Sequence, residues 1–302
     1  MIDRRALLLL PLATAFPRVP SAQSSPGGQM LLSMHQNTSA AAGYRGSLEG
    51  WARAGIRYVE LSDRLLDAFL ENDALAAAAR VLSDSGLTPV SAAAVLPDIW
   101  IPGPDRAASL ETWRRRCDQF IELGSDKIYA PSITRRNLTA EDFAAAPEAI
   151  HEVGEITSAR GLTAMIEFTR TSTHLATLPT MLSAIREAGH STVRPMLDFF
   201  HFVSGLSRLE DLSLLEPGEL AHAHFQDLAP GPRELIDNDS RLIPGDGIAP
   251  VDEIIRTLAQ KGYSGALSVE LFRADIVNAD PYEMASEIRE KCETVMRTAG
   301  VL

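Results

Sequence analysis

The sequence contains few cysteines. Only Cys117 and Cys292 occur among the 302 residues, and no CxxC pair or cysteine–histidine cluster is present. Zinc-ribbon and thioredoxin-type sites need closely spaced thiols, so both are excluded. Because the two cysteines fall in helix-like stretches far apart in sequence, two free thiols are favoured over a disulfide between them.

The sequence also lacks an excess of positive charge. It contains 28 lysines and arginines against 40 aspartates and glutamates, which gives a formal net charge of -12. Nucleic acids are polyanions, so this balance argues against a nucleic-acid partner. With 45% hydrophobic residues, the chain can bury a large core, either as one α/β domain or as two smaller ones.

No stable membrane span is expected. The apolar stretch at residues 6–16 is too short to cross a bilayer. It follows Arg4-Arg5 and precedes the small residues Ser21-Ala22, which is the order of an export signal. We therefore expect residues 1–22 to be an export signal, residues 23–302 to be one domain, and the protein to be periplasmic. The paired arginines fit the twin-arginine route, although the Sec route stays open.

Strand-like apolar runs alternate with helix-like stretches about eight times. The strand candidates are residues 30–35, 57–61, 88–93, 127–131, 163–168, 193–199, 220–226 and 266–272. The helix candidates are residues 47–54, 66–85, 110–123, 140–160, 178–187, 209–215, 251–261 and 282–297. Strands separated by helix-length segments pair in parallel through right-handed crossovers. Eight such units predict a single-domain (β/α)8 TIM barrel.

Four residues that can bind a metal stand at the C-terminal ends of the last four predicted strands. They are Glu167, Asp198, His224 and Glu270. Barrel active sites form at these strand ends, and three buried carboxylates would repel one another without a cation. The mixed oxygen and nitrogen ligands suit Mn²⁺ best, while Mg²⁺, Co²⁺ or Zn²⁺ could replace it.

Further residues at the same face of the predicted barrel are expected to bind substrate, and each also has a purely structural alternative. They are His35, Trp100, His201, Asp227, Arg233 and Arg241. Trp100 could pack on the apolar face of a sugar or in the core. Asp227 could instead hold His224. His222 points to the same face as His224 but lies deeper, so a packed or hydrogen-bonded role is expected for it.

Six motifs occur in order along the chain: Tyr58-Val59-Glu60-Leu61, Ile166-Glu167, Asp198-Phe199-Phe200-His201, His224-Phe225-Gln226-Asp227, Pro244-Gly245-Asp246-Gly247 and Ser268-Val269-Glu270-Leu271-Phe272. Together they resemble the xylose isomerase-like TIM barrels, the group of sugar phosphate isomerases and epimerases and of inosose isomerases or dehydratases. The resemblance implies one divalent metal held by Glu167, Asp198, His224 and Glu270. It also implies that Glu167 and Glu270 act as an acid/base pair on opposite faces of the substrate.

The expected activity is that of a metal-dependent isomerase or epimerase of a sugar or keto-cyclitol, by proton transfer through a metal-bound enediolate. The same ligands would also serve a lyase or dehydratase acting on a keto-sugar, keto-glycoside or inosose, and a non-catalytic carbohydrate-binding barrel is a third alternative. Nuclease activity is not expected. The DNA-repair endonucleases of this superfamily need further histidines on early strands, where this sequence has Glu60 and Ala92-Ala93-Ala94. The oligomeric state is left open.

Overall fold

The computed structural model describes residues 28–302, so the predicted export signal lies outside the described residues. In this part of the chain the strands are β1 (Leu31–His35), β2 (Tyr58–Ser62), β3 (Thr88–Ala93), β4 (Lys127–Pro131), β5 (Thr163–Glu167), β6 (Val193–Asp198), β7 (His222–His224), β8 (Asp227–Leu228), β9 (Arg241–Leu242) and β10 (Ala266–Val269). All except β8 and β9 form one closed parallel barrel in the order β1-β10-β7-β6-β5-β4-β3-β2, which confirms the predicted TIM barrel. The short strands β8 and β9 pair antiparallel beside it.

Helices surround the barrel. They are α1 (Gly43–Arg53), α2 (Asp63–Leu70), α3 (Leu75–Ser85), α4 (Arg106–Glu122), α5 (Ala140–Ser158), α6 (Leu178–Ala188), α7 (Phe199–Ser204), α8 (Val251–Gln260), α9 (Ala274–Val277) and α10 (Pro281–Ala299). Short 3-10 helices cover Gln36–Ala42, Leu209–Leu214, Arg233–Leu235 and Asn238–Ser240. Among residues 28–302, none of the helices combines the length and the hydrophobicity needed to traverse a bilayer.

The barrel strands are buried on both faces, which is why they read as apolar runs in the sequence. Inside the barrel, Ala93, Tyr129, Met165 and Met196 pack together. A larger apolar core fills the layer between the strands and the helices and contains most of the buried leucine, isoleucine and aromatic side chains.

The strand register aligns the ends of neighbouring strands. Asp198 on β6 pairs with His224 on β7, and Pro131 on β4 pairs with Glu167 on β5. On the other side of the barrel, His35 on β1 pairs with Glu60 on β2. His35, Glu167, Asp198 and His224 thus end their strands at the C-terminal mouth of the barrel. Glu60 lies deeper, two residues before the end of β2.

Candidate metal centre and active site

Each predicted metal ligand ends a barrel strand or follows one directly. Glu167 ends β5, Asp198 ends β6, His224 ends β7, and Glu270 follows β10. The Nδ1 atom of His224 lies 3.1 Å from Glu167 Oε1, 3.3 Å from Asp198 Oδ2 and 3.4 Å from Glu270 Oε2. All four side chains are buried. The structure therefore brings together the complete set that the sequence analysis proposed, and we refer to it as the four-residue centre.

The His224 ring is oriented from behind by Glu60, a residue to which the sequence analysis assigned no role. Glu60 Oε2 lies 2.9 Å from His222 Nε2 and 3.2 Å from His224 Nε2. A carboxylate only accepts hydrogen bonds, so Nε2 of both histidines carries a proton and donates it. In its neutral form His224 then presents the lone pair of Nδ1 to the three carboxylates. This is the orientation of a metal-binding histidine that is supported by a second carboxylate.

The electrostatics of the four-residue centre call for a cation. Burial raises the pKa of Glu167 to about 7. Burial opposes protonation of His224, but the surrounding carboxylates, Glu60 and Glu270 foremost, hold its pKa well above the ordinary value. Glu167 Oε1 is buried and has no hydrogen-bond partner within residues 28–302. Three carboxylate oxygens and one imidazole nitrogen, all within 4.8 Å of one another, fit a divalent metal ion.

Arg241 reaches the centre from β9. Its Nη1 atom lies 2.6 Å from Asp198 Oδ2 and 3.3 Å from Glu270 Oε2. Its guanidinium carbon lies 4.4 Å from the ring centroid of Phe200 and 5.2 Å from that of Phe272. Two aromatic faces thus hold a fully buried arginine against two of the candidate ligands. Since Arg241 also lines the pocket above the centre, it is placed where it can contact both the ligands and a bound substrate.

His201 lies beside Arg241 on the pocket wall. Its backbone N–H donates to Asp198 Oδ1 at 2.7 Å, and its Nε2 accepts from Arg241 Nη2 at 3.3 Å. Burial lowers the pKa of His201 to about 4, so its ring is neutral near pH 7. His201 lines the pocket, and its contact with a substrate stays a prediction.

His35 supports the opposite side of the centre and does not line the pocket. Its Nδ1 accepts from the backbone N–H of Asn37 at 3.0 Å, so its Nε2 carries the proton that points to the Tyr129 hydroxyl at 3.2 Å. Asn37 in turn donates from Nδ2 to Glu270 Oε1 at 3.0 Å. Sequence reasoning missed both Asn37 and Tyr129, which line the pocket.

Of the six predicted substrate contacts, three more besides His35 do not line the pocket. Trp100 is buried, donates from Nε1 to the Ala130 carbonyl at 3.0 Å and packs edge-on against Trp113, so it belongs to the core. Arg233 is exposed on a surface turn and is not among the residues that line the pocket. Asp227 neither holds His224 nor faces the substrate space, because both of its oxygens are occupied by backbone N–H groups.

Asp227 instead fastens the loop that follows β8. Its Oδ1 accepts from the backbone N–H groups of Leu228 and Ala249, both at 2.8 Å. Its Oδ2 accepts from those of Gly245 at 3.1 Å and Gly247 at 3.0 Å. A Cβ atom on Gly247 would lie 2.5 Å from Asp227 Oδ1, so glycine is required for this approach. The motif at residues 244–247 is therefore a structural clamp on the loop that carries Arg241.

A pocket of about 460 Å³ opens above the four-residue centre. Glu167 and Glu270 line it, whereas Asp198 and His224 lie below its surface. Its walls combine aromatic rings with arginines, namely Tyr129, Phe200 and Phe272 with Arg64, Arg135, Arg170 and Arg241. This size and this mixture suit a small polar molecule.

Comparisons with known proteins agree with this architecture. A family model described as xylose isomerase-like TIM barrel matches residues 48–296. The inosose isomerase of Halalkalibacterium halodurans is 26% identical over 162 residues, which make up 53% of this chain and 56% of that protein. The match thus spans little more than half the length of this curated relative.

Solved structures share the fold over nearly the whole described chain. The IolI protein with a bound zinc atom superposes with a TM-score of 0.82 at 19% identity, and the match covers 89% of this chain and 99% of that one. D-allulose 3-epimerase from Methylomonas sp. in complex with D-allulose gives a TM-score of 0.71 at 18% identity, with 88% and 97% covered. At such identities the likeness shows a common fold.

Proposed function

This chain belongs to the xylose isomerase-like TIM barrel family, and on that premise we propose that it is a divalent-metal-dependent isomerase or epimerase of a sugar or keto-cyclitol. The names of an aligned relative, inosose isomerase, and of a structural neighbour, D-allulose 3-epimerase, support this class of substrate. Mn²⁺ is the proposed ion, since carboxylate oxygens outnumber the single imidazole nitrogen in the ligand set. We also propose export to the periplasm, on the order of charged, apolar and small residues in the first 22 positions.

The observation that carries the proposal is the unequal exposure of the four candidate ligands. Glu167 and Glu270 face the pocket, while Asp198 and His224 lie beneath it. A residue that only holds an ion needs no access to substrate. Two glutamates that reach the substrate space are placed to move protons as well.

The mechanism follows from these positions. A divalent ion at the centre, when bound, polarises a carbonyl and the neighbouring hydroxyl of the substrate and so acidifies the C–H bond beside the carbonyl. One glutamate takes this proton, and the other can return a proton to the opposite face of the substrate. Arg241 and His201, which line the pocket, are placed to orient the hydroxyl groups of the substrate. Return of the proton to the same carbon from the other face epimerises the substrate, and return to the adjacent carbon isomerises it.

The test is deuterium exchange with Glu167→Gln and Glu270→Gln variants. Each glutamine keeps the shape of the side chain but cannot accept the proton. We therefore expect solvent deuterium to enter the substrate carbon in the wild type, and at least about 100-fold more slowly in the variant that lacks the glutamate facing the C–H bond. The assay uses Mn²⁺-loaded protein in D₂O with a panel of ketohexoses and keto-inositols, read by NMR and mass spectrometry. Unchanged exchange in both variants would reject the acid/base roles.

The product and the variant pattern separate the reactions. An epimerase that works with two bases loses net turnover in both variants, whereas an isomerase that uses one base retains turnover in one of them. Products lighter than the substrate by one water molecule would identify the dehydratase instead. The control is Glu148→Gln on the exposed face of α5, which should behave as the wild type.

A further inference from the structure

A second group of metal-binding side chains lies on the outside of the barrel. His151 and Glu155 stand one helical turn apart on α5, and His190 lies in the turn before β6. One nitrogen or oxygen atom from each comes within 4.8 Å of the others. We call these three residues the outer cluster. None of them takes part in the four-residue centre or lines its pocket.

The two imidazoles of the outer cluster are oriented by hydrogen bonds through Nδ1. His151 Nδ1 lies 2.9 Å from the Ala188 carbonyl, and since a carbonyl only accepts, this nitrogen carries the ring proton of the neutral form. His190 Nδ1 accepts from the Thr192 backbone N–H at 3.3 Å and lies 3.0 Å from the Thr192 hydroxyl, so the Nε2 of the neutral ring carries the proton and donates it to Glu155 Oε1 at 3.1 Å. In both rings Nε2 is therefore turned towards Glu155. A ring that donates from Nδ1, as His151 does, is oriented to ligate a metal through Nε2. At His190, a bound metal ion must replace the Nε2 proton that Glu155 accepts in its absence.

The distances fit a tetrahedral ion. Glu155 Oε1 lies 3.1 Å from His190 Nε2 and 3.6 Å from His151 Nε2. Bonds to zinc of about 2.0–2.1 Å, arranged as a tetrahedron, place neighbouring ligand atoms about 3.3–3.4 Å apart. Two nitrogens and one carboxylate oxygen also match the ligand preference of zinc and its neighbours in the first transition row.

The backbone makes room for this arrangement. Gly154 lies beside His190, and a Cβ atom built at this glycine would come within 2.5 Å of the imidazole. Glycine is unfavourable inside a helix, yet here it lets the His190 ring lie flush against α5. The side chains of His151 and Glu155 are 48% and 66% exposed, whereas that of His190 is 8% exposed. An ion would thus be reached from solvent and held against a buried ligand.

We propose that His151, Glu155 and His190 form a second metal site, specific for Zn²⁺ or a similar borderline ion, with water at the remaining coordination position. The site ties α5 to the turn that leads into β6. Its role is structural, because it lies on the outer surface, away from the pocket.

The test is the binding stoichiometry of Zn²⁺ on metal-free protein, measured by calorimetry. We expect the wild type to bind one equivalent more than the His151→Ala/His190→Ala double variant. Glu155→Gln should weaken the outer equivalent at least about tenfold, and Gly154→Ala should weaken it by displacing His190. Glu148→Gln, seven residues before Glu155 on the same helix and outside the outer cluster, is the matched control and should bind as the wild type.

Co²⁺ provides a second measurement that reports coordination directly. The His224→Ala variant lacks the imidazole of the four-residue centre, so the visible absorption of its bound Co²⁺ should be that of the outer site and should vanish on adding the double substitution. Equal Zn²⁺ stoichiometry in the wild type and the double variant would overturn the proposal and leave an ordinary ion-pair network. The wild type and the double variant share the same four-residue centre. The difference in their Zn²⁺ stoichiometry therefore tests the outer cluster whether or not that centre is catalytic.

Discussion

At the scale of single residues, Glu60 shows how far the metal centre extends below the pocket. One of its oxygens accepts hydrogen bonds from both His222 and His224, while its Oε1 has no hydrogen-bond partner among residues 28–302. Burial opposes ionisation, yet the two histidines hold the pKa of Glu60 well below its ordinary value. The carboxylate is thus an anion that fixes which nitrogen of His224 is free to ligate.

A Glu60→Gln variant should bind Mn²⁺ about 10–100-fold more weakly than the wild type. The glutamine carbonyl keeps the shape of the side chain but brings no negative charge and adds an N–H group, so it no longer enforces the tautomer of His224. Calorimetric titration of metal-free protein measures the effect, and circular dichroism checks the fold. If the Glu60→Gln and Glu148→Gln variants bind Mn²⁺ with equal affinity, Glu60 does not orient His224.

The sequence predicted the four-residue centre because each member occupies the same place in an apolar strand run. Glu60 lies in a similar run, Tyr58-Val59-Glu60-Leu61, so its place in a strand was readable from the sequence, although the structure puts it two residues before the end of β2. Its partner was not, because His222 and His224 stand across the closed barrel and sequence order says nothing about that distance. Asn37 carried no signal, since its contact with Glu270 depends on the closure of β1 against β10.

At the scale of elements, the segment between β8 and α8 acts as a clamped loop. Asp227 receives four backbone N–H groups from both ends of this segment, and β9 within it delivers Arg241 to the centre. The clamp therefore sets where the guanidinium lies, without any contact between Asp227 and the substrate space.

Asp227→Asn should loosen this loop. The asparagine amide cannot accept four hydrogen bonds, and its NH₂ group faces backbone N–H donors. We therefore expect a loss of about 1–3 kcal/mol in the free energy of unfolding. Amide hydrogen exchange across residues 228–248 should also be faster. If Arg241 is displaced, KM for the substrate should rise more than kcat falls. The matched control is Asp246→Asn in the same loop, which breaks only an exposed pair with Lys291 and should cost less than about 1 kcal/mol. Equal unfolding energies for the two variants would contradict the clamp.

The boundaries of elements were less predictable than their order. The helix expected at residues 66–85 is two helices, α2 and α3, because the polar residues 71–73 form an exposed turn and Ala74 is extended. The strand expected at residues 220–226 is only His222–His224. Phe225 is buried like a strand residue and still donates its backbone N–H to the Ser268 carbonyl of β10 at 2.8 Å, although the strand ends at His224. Apolar content marks burial, and burial continues past the point where the strand ends.

At the scale of the whole molecule, the topology was the most predictable feature. Alternating runs, parallel pairing and right-handed crossovers leave few ways to arrange eight such units, and the closed order of the strands agrees with them. The loops above the barrel were not predictable in this way. Trp100 and Arg233 were misplaced because a position after a strand does not say whether the chain turns into the core or away from it.

Metal occupancy should govern the stability of the whole barrel. Removal of a divalent ion leaves the carboxylates of Glu167, Asp198 and Glu270 close together and buried, which is costly. Mn²⁺ at about 100 times its Kd should add about 2.7 kcal/mol by mass action, or roughly 5–10 °C in Tm for a domain of this size. Differential scanning calorimetry with and without chelator measures the shift. The Asp198→Ala variant should show little of it, and an equal shift in that variant would place the stabilising ion elsewhere.

The two carboxylate oxygens of Asp198 make different contacts. Oδ1 accepts from the N–H of His201 and so caps α7, while Oδ2 faces His224 and Arg241. Helix α7 carries Phe200 and His201, which form part of the pocket wall. Asp198 therefore connects the four-residue centre directly to this wall. A change in the charge or metal binding of Asp198 is therefore expected to shift α7 and so to alter the shape of the substrate pocket.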